Sequence, residues 1–221
     1  MSYGEYLGAG SSITLLLYHL NGNSNDSSGN SRNGTDTSIT YSLANGRFGQ
    51  GAGFNGTSSK IVVPSTARIV GLSSFTFSVW FNTSSGAANM TIYSEGSTST
   101  ITPFLQFFIA SGQAGFQNRS DASALSLQTT TETYSDGLWH LFTAVKVSSS
   151  SRLLYIDGNL RTSDSTSVGT TTVNTSNIGV LQRTTSTNFY SGALDEMIFE
   201  NVAWDASKIK RYYTWTKGRF E

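Results

Sequence analysis

The stretch "SFTFSVWFNT", residues 74–83, alternates strictly. Phe75, Phe77, Val79 and Phe81 share one parity; Thr76, Ser78, Trp80 and Asn82 share the other. Successive side chains of an extended chain point to opposite faces, so this segment reads as a strand with one apolar face. Trp80 is the exception on the polar parity. If the phenylalanines face a core between two sheets, Trp80 lies on the outer or concave surface. There it either covers the sheet beneath a loop or helix, or offers an aromatic face to a ligand.

Similar segments flank it. "TLLLYHL" (14–20) reads as a buried strand, and "KIVVP" (60–64) as a strand stopped by Pro64. "PFLQFFIA" and "AGFQNR" look like neighbours joined at Ser111-Gly112. "GLWHLFTAVKV" (137–147) puts Trp139, Leu141, Thr143, Val145 and Val147 on one face, and Trp139 reads as a core anchor. In "RLLYIDGNLR", Asp157-Gly158 signals a tight hairpin, a turn needing positive φ at both central residues. "SNIGVLQR" and "GALDEMIFEN" complete the strands. The glycines of "NGRFGQGAGFNG" (45–56) suit a sharp bend and close strand approach. One short helix is expected in "WDASKIKRYY", with Asp205 or Ser207 as N-cap and Ile209, Tyr212 and Tyr213 as its buried stripe. Many short strands separated by turn signals, then one terminal helix, predict a single all-β sandwich over residues 13–221. Residues 1–12, with Gly4, Gly8 and Gly10, read as a loose arm able to join the domain to sister chains or a larger assembly.

Composition narrows the function. Among 221 residues, Lys+Arg and Asp+Glu each number 14, so the net charge is zero and no basic excess marks a nucleic-acid binder. There is no cysteine, which excludes disulfides and thiolate chemistry. No segment approaches a membrane span. The start has no basic and apolar signal-peptide pattern. With the missing cysteines, this gives an expectation of a bacterial or phage origin and an extracellular or virion-surface location.

The order of motifs resembles a LamG-like, concanavalin A-like lectin/glucanase domain of the laminin G-like type 3 group. "LLLYHLNGNSNDSSGNSRNGT", "GRFGQGAGFNGTSSKIVVP" and "FTFSVWFNT" look like its first half. "DGLWHLFTAVK", "LYIDGNLR", "NIGV" and "YSGALDEMIFENVAWDASKIKRYY" look like its second. The resemblance implies a jelly roll of two curved antiparallel sheets and a role in binding, often of glycans. Trp80, Tyr93, Phe116 and Tyr190 are then the candidate ligand-binding aromatics.

The resemblance also raises catalysis and metal binding. Laminarinase-like and lichenase-like enzymes of this fold carry an alternating Glu-x-Asp-x-Glu strand. "LDEMIFE" (194–200) offers Glu196 and Glu200 on one face, but Ile198 replaces the central aspartate, and the segment matches the closing strand of the LamG pattern. No enzyme is therefore expected. Serine is too abundant, and His19 and His140 too isolated from any nucleophile motif, to support a triad. Relatives often hold a structural Ca²⁺ that pins a long loop. Here Asp26, in the loop 21–34, and Asp195 are the candidate ligands. The competing reading gives Asp26 an Asx-turn and Asp195 a backbone partner. The expected function is a non-catalytic binding or adhesion module for glycan or another surface polymer, displayed on a phage particle. A purely structural decoration or fibre protein is the alternative, and a glycoside hydrolase ranks third.

Overall fold

A computed structural model describes residues 13–218; the arm assigned to residues 1–12 lies outside them. Among the described residues the strands are β1 (Thr14–Tyr18), β2 (Thr35–Thr37), β3 (Thr40–Ser42), β4 (Gly51–Asn55), β5 (Lys60–Val62), β6 (Phe75–Asn82), β7 (Met90–Gly96), β8 (Phe104–Ala110) and β9 (Gln113–Arg119). They continue with β10 (Leu125–Thr133), β11 (Trp139–Ser148), β12 (Ser151–Ile156), β13 (Asn159–Asp164), β14 (Thr175–Ile178), β15 (Leu181–Gln182), β16 (Ser186–Thr187) and β17 (Ser191–Glu200), and the helix α1 (Ala206–Lys217) closes the series. One antiparallel sheet runs β13-β12-β11-β6-β17-β4-β3, with β1 added along the end of β17. The other runs β10-β9-β8-β7-β14-β5-β2. The two face each other as the sandwich that the alternating segments imply.

Strand β6 lies at the middle of the first sheet and behaves as its pattern dictates. Phe75, Phe77, Val79 and Phe81 all enter the core between the sheets. Phe77 stacks on Phe107 of the opposing sheet, with ring centroids 4.5 Å apart, and meets Phe142 and Phe199 from its own sheet. Turn chemistry is equally local. Asp157 and Gly158 both have positive φ, as do Ser111 and Gly112, closing the hairpins β12–β13 and β8–β9.

The outer face of the first sheet carries a second apolar cluster, under the helix. Asp205 caps α1 by accepting from the Lys208 amide at 2.7 Å, and the helix drops Ile209 and Tyr212 onto the sheet. Trp80, Leu141, Val145 and Ile198 receive them.

This layering corrects the proposed ligand-binding aromatics. Trp80, Tyr93, Phe116 and Tyr190 are each at most 1% exposed, so none offers a face to a ligand. Trp80 is the covered alternative: its ring stacks on Tyr213 at 5.9 Å, meets Phe48 edge-on at 6.1 Å, and lies under the Arg47 guanidinium at 5.2 Å. Tyr93 and Phe116 belong to the inter-sheet core, where both contact Phe107. Tyr190 packs edge-on against Phe54 and donates its hydroxyl to the Asn82 carbonyl at 3.1 Å. In β11 the parity holds, but its Trp139 face is the outer one, so the reading of Trp139 as an anchor of the inter-sheet core is corrected. Phe142 and Ala144 face the inter-sheet core, while Leu141 and Val145 face the helix, so Trp139 sits on the outer face and is only partly buried.

Candidate functional site

Strand β17 does not keep the alternation that its sequence suggests. Asp195 pairs with Trp80 and Ile198 with Ser78, so β17 spends one residue more than β6 over the same span. This is a β-bulge, and Glu196 in it has φ 50°. Leu194, Met197 and Phe199 face the inter-sheet core, while Ile198 faces the helix. The bulge therefore brings Asp195 to the face that carries Ile198, not to the opposite one.

The carboxylates of β17 have separate structural partners. Glu196 holds His19 Nδ1 at 2.9 Å. Glu200, 1% exposed, accepts from Trp204 Nε1 at 2.5 Å and pairs with Lys208 Nζ at 2.9 Å, under the start of α1. A retaining or inverting glycosidase needs two carboxyl groups facing each other across a substrate. Here Glu196 is 5% and Glu200 1% exposed, so the pair is not presented to a substrate. The other histidine, His140, pairs through Nδ1 with Asp157 at 2.8 Å and through Nε2 with Asp136 at 3.2 Å. Burial lowers its pKa, but the two carboxylates outweigh that and leave it raised.

The two proposed metal ligands are also engaged. Asp26 Oδ1 accepts from the Leu17 amide at 3.1 Å and the Ser28 amide at 2.9 Å; Oδ2 accepts from Ser28 Oγ and the Arg32 amide, both at 2.9 Å. About four lone-pair sites are available on a carboxylate, and four donors fill them. Asp195 Oδ2 accepts the Arg47 and Phe48 amides, both at 2.8 Å, and Oδ1 accepts the Glu196 amide at 2.9 Å. Burial pushes Asp195 up to about 7, although those amides and Arg47 pull it down. Ca²⁺ takes about six to eight oxygens. Asp26, filled by four donors, and Asp195, engaged by three amides, tie down different segments and do not fit a shared calcium site. Among the described residues no group of three or more His, Asp or Glu side chains could hold a metal.

The helix covers only part of the outer face of the first sheet. Beyond it lies a cleft of about 420 Å³. Its floor is one row of cross-strand neighbours spanning five strands. Trp139 of β11 pairs with Asn82 of β6, Asn82 with Ala193 of β17, Ala193 with Gly53 of β4, and Gly53 with Thr40 of β3. The small residues at the centre make a trough; the aromatic and polar residues stand at its ends. Asn45 rises beside it and lies over Gly53, where a Cβ would come 2.3 Å from Asn45 Nδ2, so any side chain here would force Asn45 to move. Asn82 Nδ2 donates to the Gly137 carbonyl at 2.6 Å and Asn45 Nδ2 to the Thr40 carbonyl at 3.0 Å. Sequence reading missed this site. The signal was present in Asn82, which shares the outer parity with Trp80, but nothing in the sequence said which part of the face the helix leaves open.

The profile of the concanavalin A-like lectin/glucanases superfamily, laminin G type, matches residues 54–210, and the chain belongs to that family. No curated protein matches its sequence. Among solved structures, the binding domain of Paraclostridial Mosquitocidal Protein 1 superposes with a TM-score of 0.74 at 16% identity, covering 93% of this chain and 53% of that one. Domain 4 of AbnA, a GH43 extracellular arabinanase from Geobacillus stearothermophilus solved in complex with arabinotriose, gives 0.74 at 22% identity, covering 90% and 97%. The receptor binding domain of botulinum neurotoxin D gives 0.71 at 13% identity, covering 94% and 54%. The chain thus spans about half the length of the toxin domains and almost the whole of the arabinanase domain.

Proposed function

We propose that the chain is a non-catalytic recognition module that binds glycan, or another hydroxyl-rich surface polymer, in the outer cleft. The observation that carries this is the row from Trp139 to Thr40 on the uncovered part of the sheet. A sugar ring has an apolar C–H face and a rim of hydroxyls. A partly exposed indole, a floor of Ala193 and Gly53, and flanking amides complement both. Among the described residues no carboxylate lines the cleft, so they offer neither the acid nor the nucleophile of sugar hydrolysis. Membership of a lectin/glucanase superfamily supports the reading, and so does likeness to a domain solved with arabinotriose and to toxin binding domains. Display at an extracellular or virion surface is part of the proposal. It is supported by likeness to a domain of an extracellular arabinanase.

A glycan array tests it. Trp139→Ala should abolish the signals of the natural sequence while the circular dichroism spectrum stays that of a β-sandwich. Silence of the natural, folded protein across the array would favour the purely structural role.

A further inference from the structure

The polar groups of the cleft specify more than sugar in general. Two of its three amides have their nitrogen held by a main-chain carbonyl: Asn82 Nδ2 by Gly137 and Asn45 Nδ2 by Thr40; the third, Asn55, donates to Ser58 Oγ and has its oxygen taken by the Thr57, Ser58 and Ser59 amides. A carbonyl can only accept, so the orientation of the first two amides is fixed by chemistry. Their oxygens point away from those bonds and have no hydrogen-bond partner among the described residues. Thr40 and Ser38 add hydroxyls, and Trp139 adds an indole N–H. Among the described residues no lysine, arginine or histidine lines the cleft.

A carboxylate or sulfate entering here would meet the oxygens of Asn45 and Asn82 and, among the described lining residues, only the neutral donors of Ser38, Thr40 and Trp139, with no cation. Giving up water for neutral donors alone disfavours an anion. A neutral sugar has the reverse character, because each hydroxyl can donate to an amide oxygen while a C–H face covers the indole. Building on the reading of this cleft as a glycan site, we infer that it selects uncharged sugars. Their hydroxyls donate to Asn45 and Asn82, and uronate, sulfated and sialylated residues are rejected. The zero net charge of the chain adds no long-range attraction for polyanions.

Calorimetric titration of the full chain with matched oligosaccharides tests this. Neutral arabinan-, galactan- and glucan-type oligomers are set against oligogalacturonate and sulfated galactan oligomers, in low and high salt. Two variants accompany the natural sequence. Trp139→Ala removes the stacking face. Thr40→Trp fills the cleft from an exposed position at the end of the row, where folding is not at stake. The expected result is binding of a neutral oligomer that salt does not change, and acidic counterparts weaker by about a hundredfold. Both variants should weaken the neutral oligomer by about tenfold or more. Acidic oligomers that bind as tightly, and are lost in both variants, would overturn the selectivity while leaving the cleft as the site. Oligomers that bind equally well to both variants, or no binding by any oligomer, would overturn the cleft reading and this inference with it.

Discussion

Truncating Trp80 separates a packing role from a ligand-binding role. Its side chain is 1% exposed between the first sheet and α1, and contacts Phe48, Tyr213 and Arg47. A large buried aromatic removes about 200 Å² from water, and at about 25 cal/mol per Å² that contributes about 5 kcal/mol. Aromatic-to-alanine changes in cores cost about 3–5 kcal/mol, which agrees. For a chain of this size, each kcal/mol moves the melting temperature by about 2–4 °C. Trp80→Ala should therefore melt about 6–20 °C lower. Trp80 Nε1 is buried without a hydrogen-bond partner among the described residues, so Trp80→Phe sheds an unsatisfied donor along with some ring area. It should cost only about 1 kcal/mol and keep the same glycan profile. Scanning calorimetry reads both variants. A Trp80→Ala protein that melts within 2 °C of the natural one but no longer binds glycan would refute the argument, because it would make Trp80 a ligand face.

Three further outcomes follow from other residues. Asp195 is pushed up to about 7 by burial, so the folded state holds its proton more tightly than the unfolded chain. The stability this confers is fully present below about pH 4 and is lost as the pH rises through about 7. In urea melts, Asp195→Asn should flatten that decline, and an unchanged pH slope would contradict it. Asp26 pins the loop 21–34 through four donors rather than a cation. EDTA should leave the melting temperature unchanged, while Asp26→Ala should lower stability by about 2–4 kcal/mol; a fall of several degrees with EDTA would show a bound metal. Gly53→Ala places a Cβ against Asn45 Nδ2, so Asn45 must swing into the trough. Glycan affinity should drop more than stability does, and titration beside a thermal melt measures both.

What the sequence made legible was local. The Phe parity of β6, the Asp157-Gly158 turn and the Asp205 cap are set by neighbours in the chain, and each appears as its pattern implies. What it hid was set by distant contacts. The bulge at Glu196 shifts the parity of β17, and nothing in "LDEMIFE" marks an extra residue, because the count exists only against β6. Strand β7 escaped for a related reason. Its Glu95 looks unsuited to a core, yet it is buried and accepts the Ile69 amide at 2.6 Å, the Val70 amide at 3.0 Å and the Tyr93 hydroxyl at 2.6 Å. Trp80, read from a polar parity, and Trp139, read as a core anchor, both lie on the outer face of one sheet. The helix covers the first and leaves the second partly open, so the aromatic that matters could be chosen only once α1 was placed.

Whether the outer cleft is the binding surface is read by titrating ¹⁵N-labelled protein with a neutral oligosaccharide and following the indole N–H signals of Trp80, Trp139, Trp204 and Trp215. The Trp139 signal should move in proportion to saturation while those of Trp80 and Trp204, sealed beneath the helix, stay in place. A still Trp139 signal under a saturating ligand that shifts other parts of the spectrum would contradict the cleft as the binding surface.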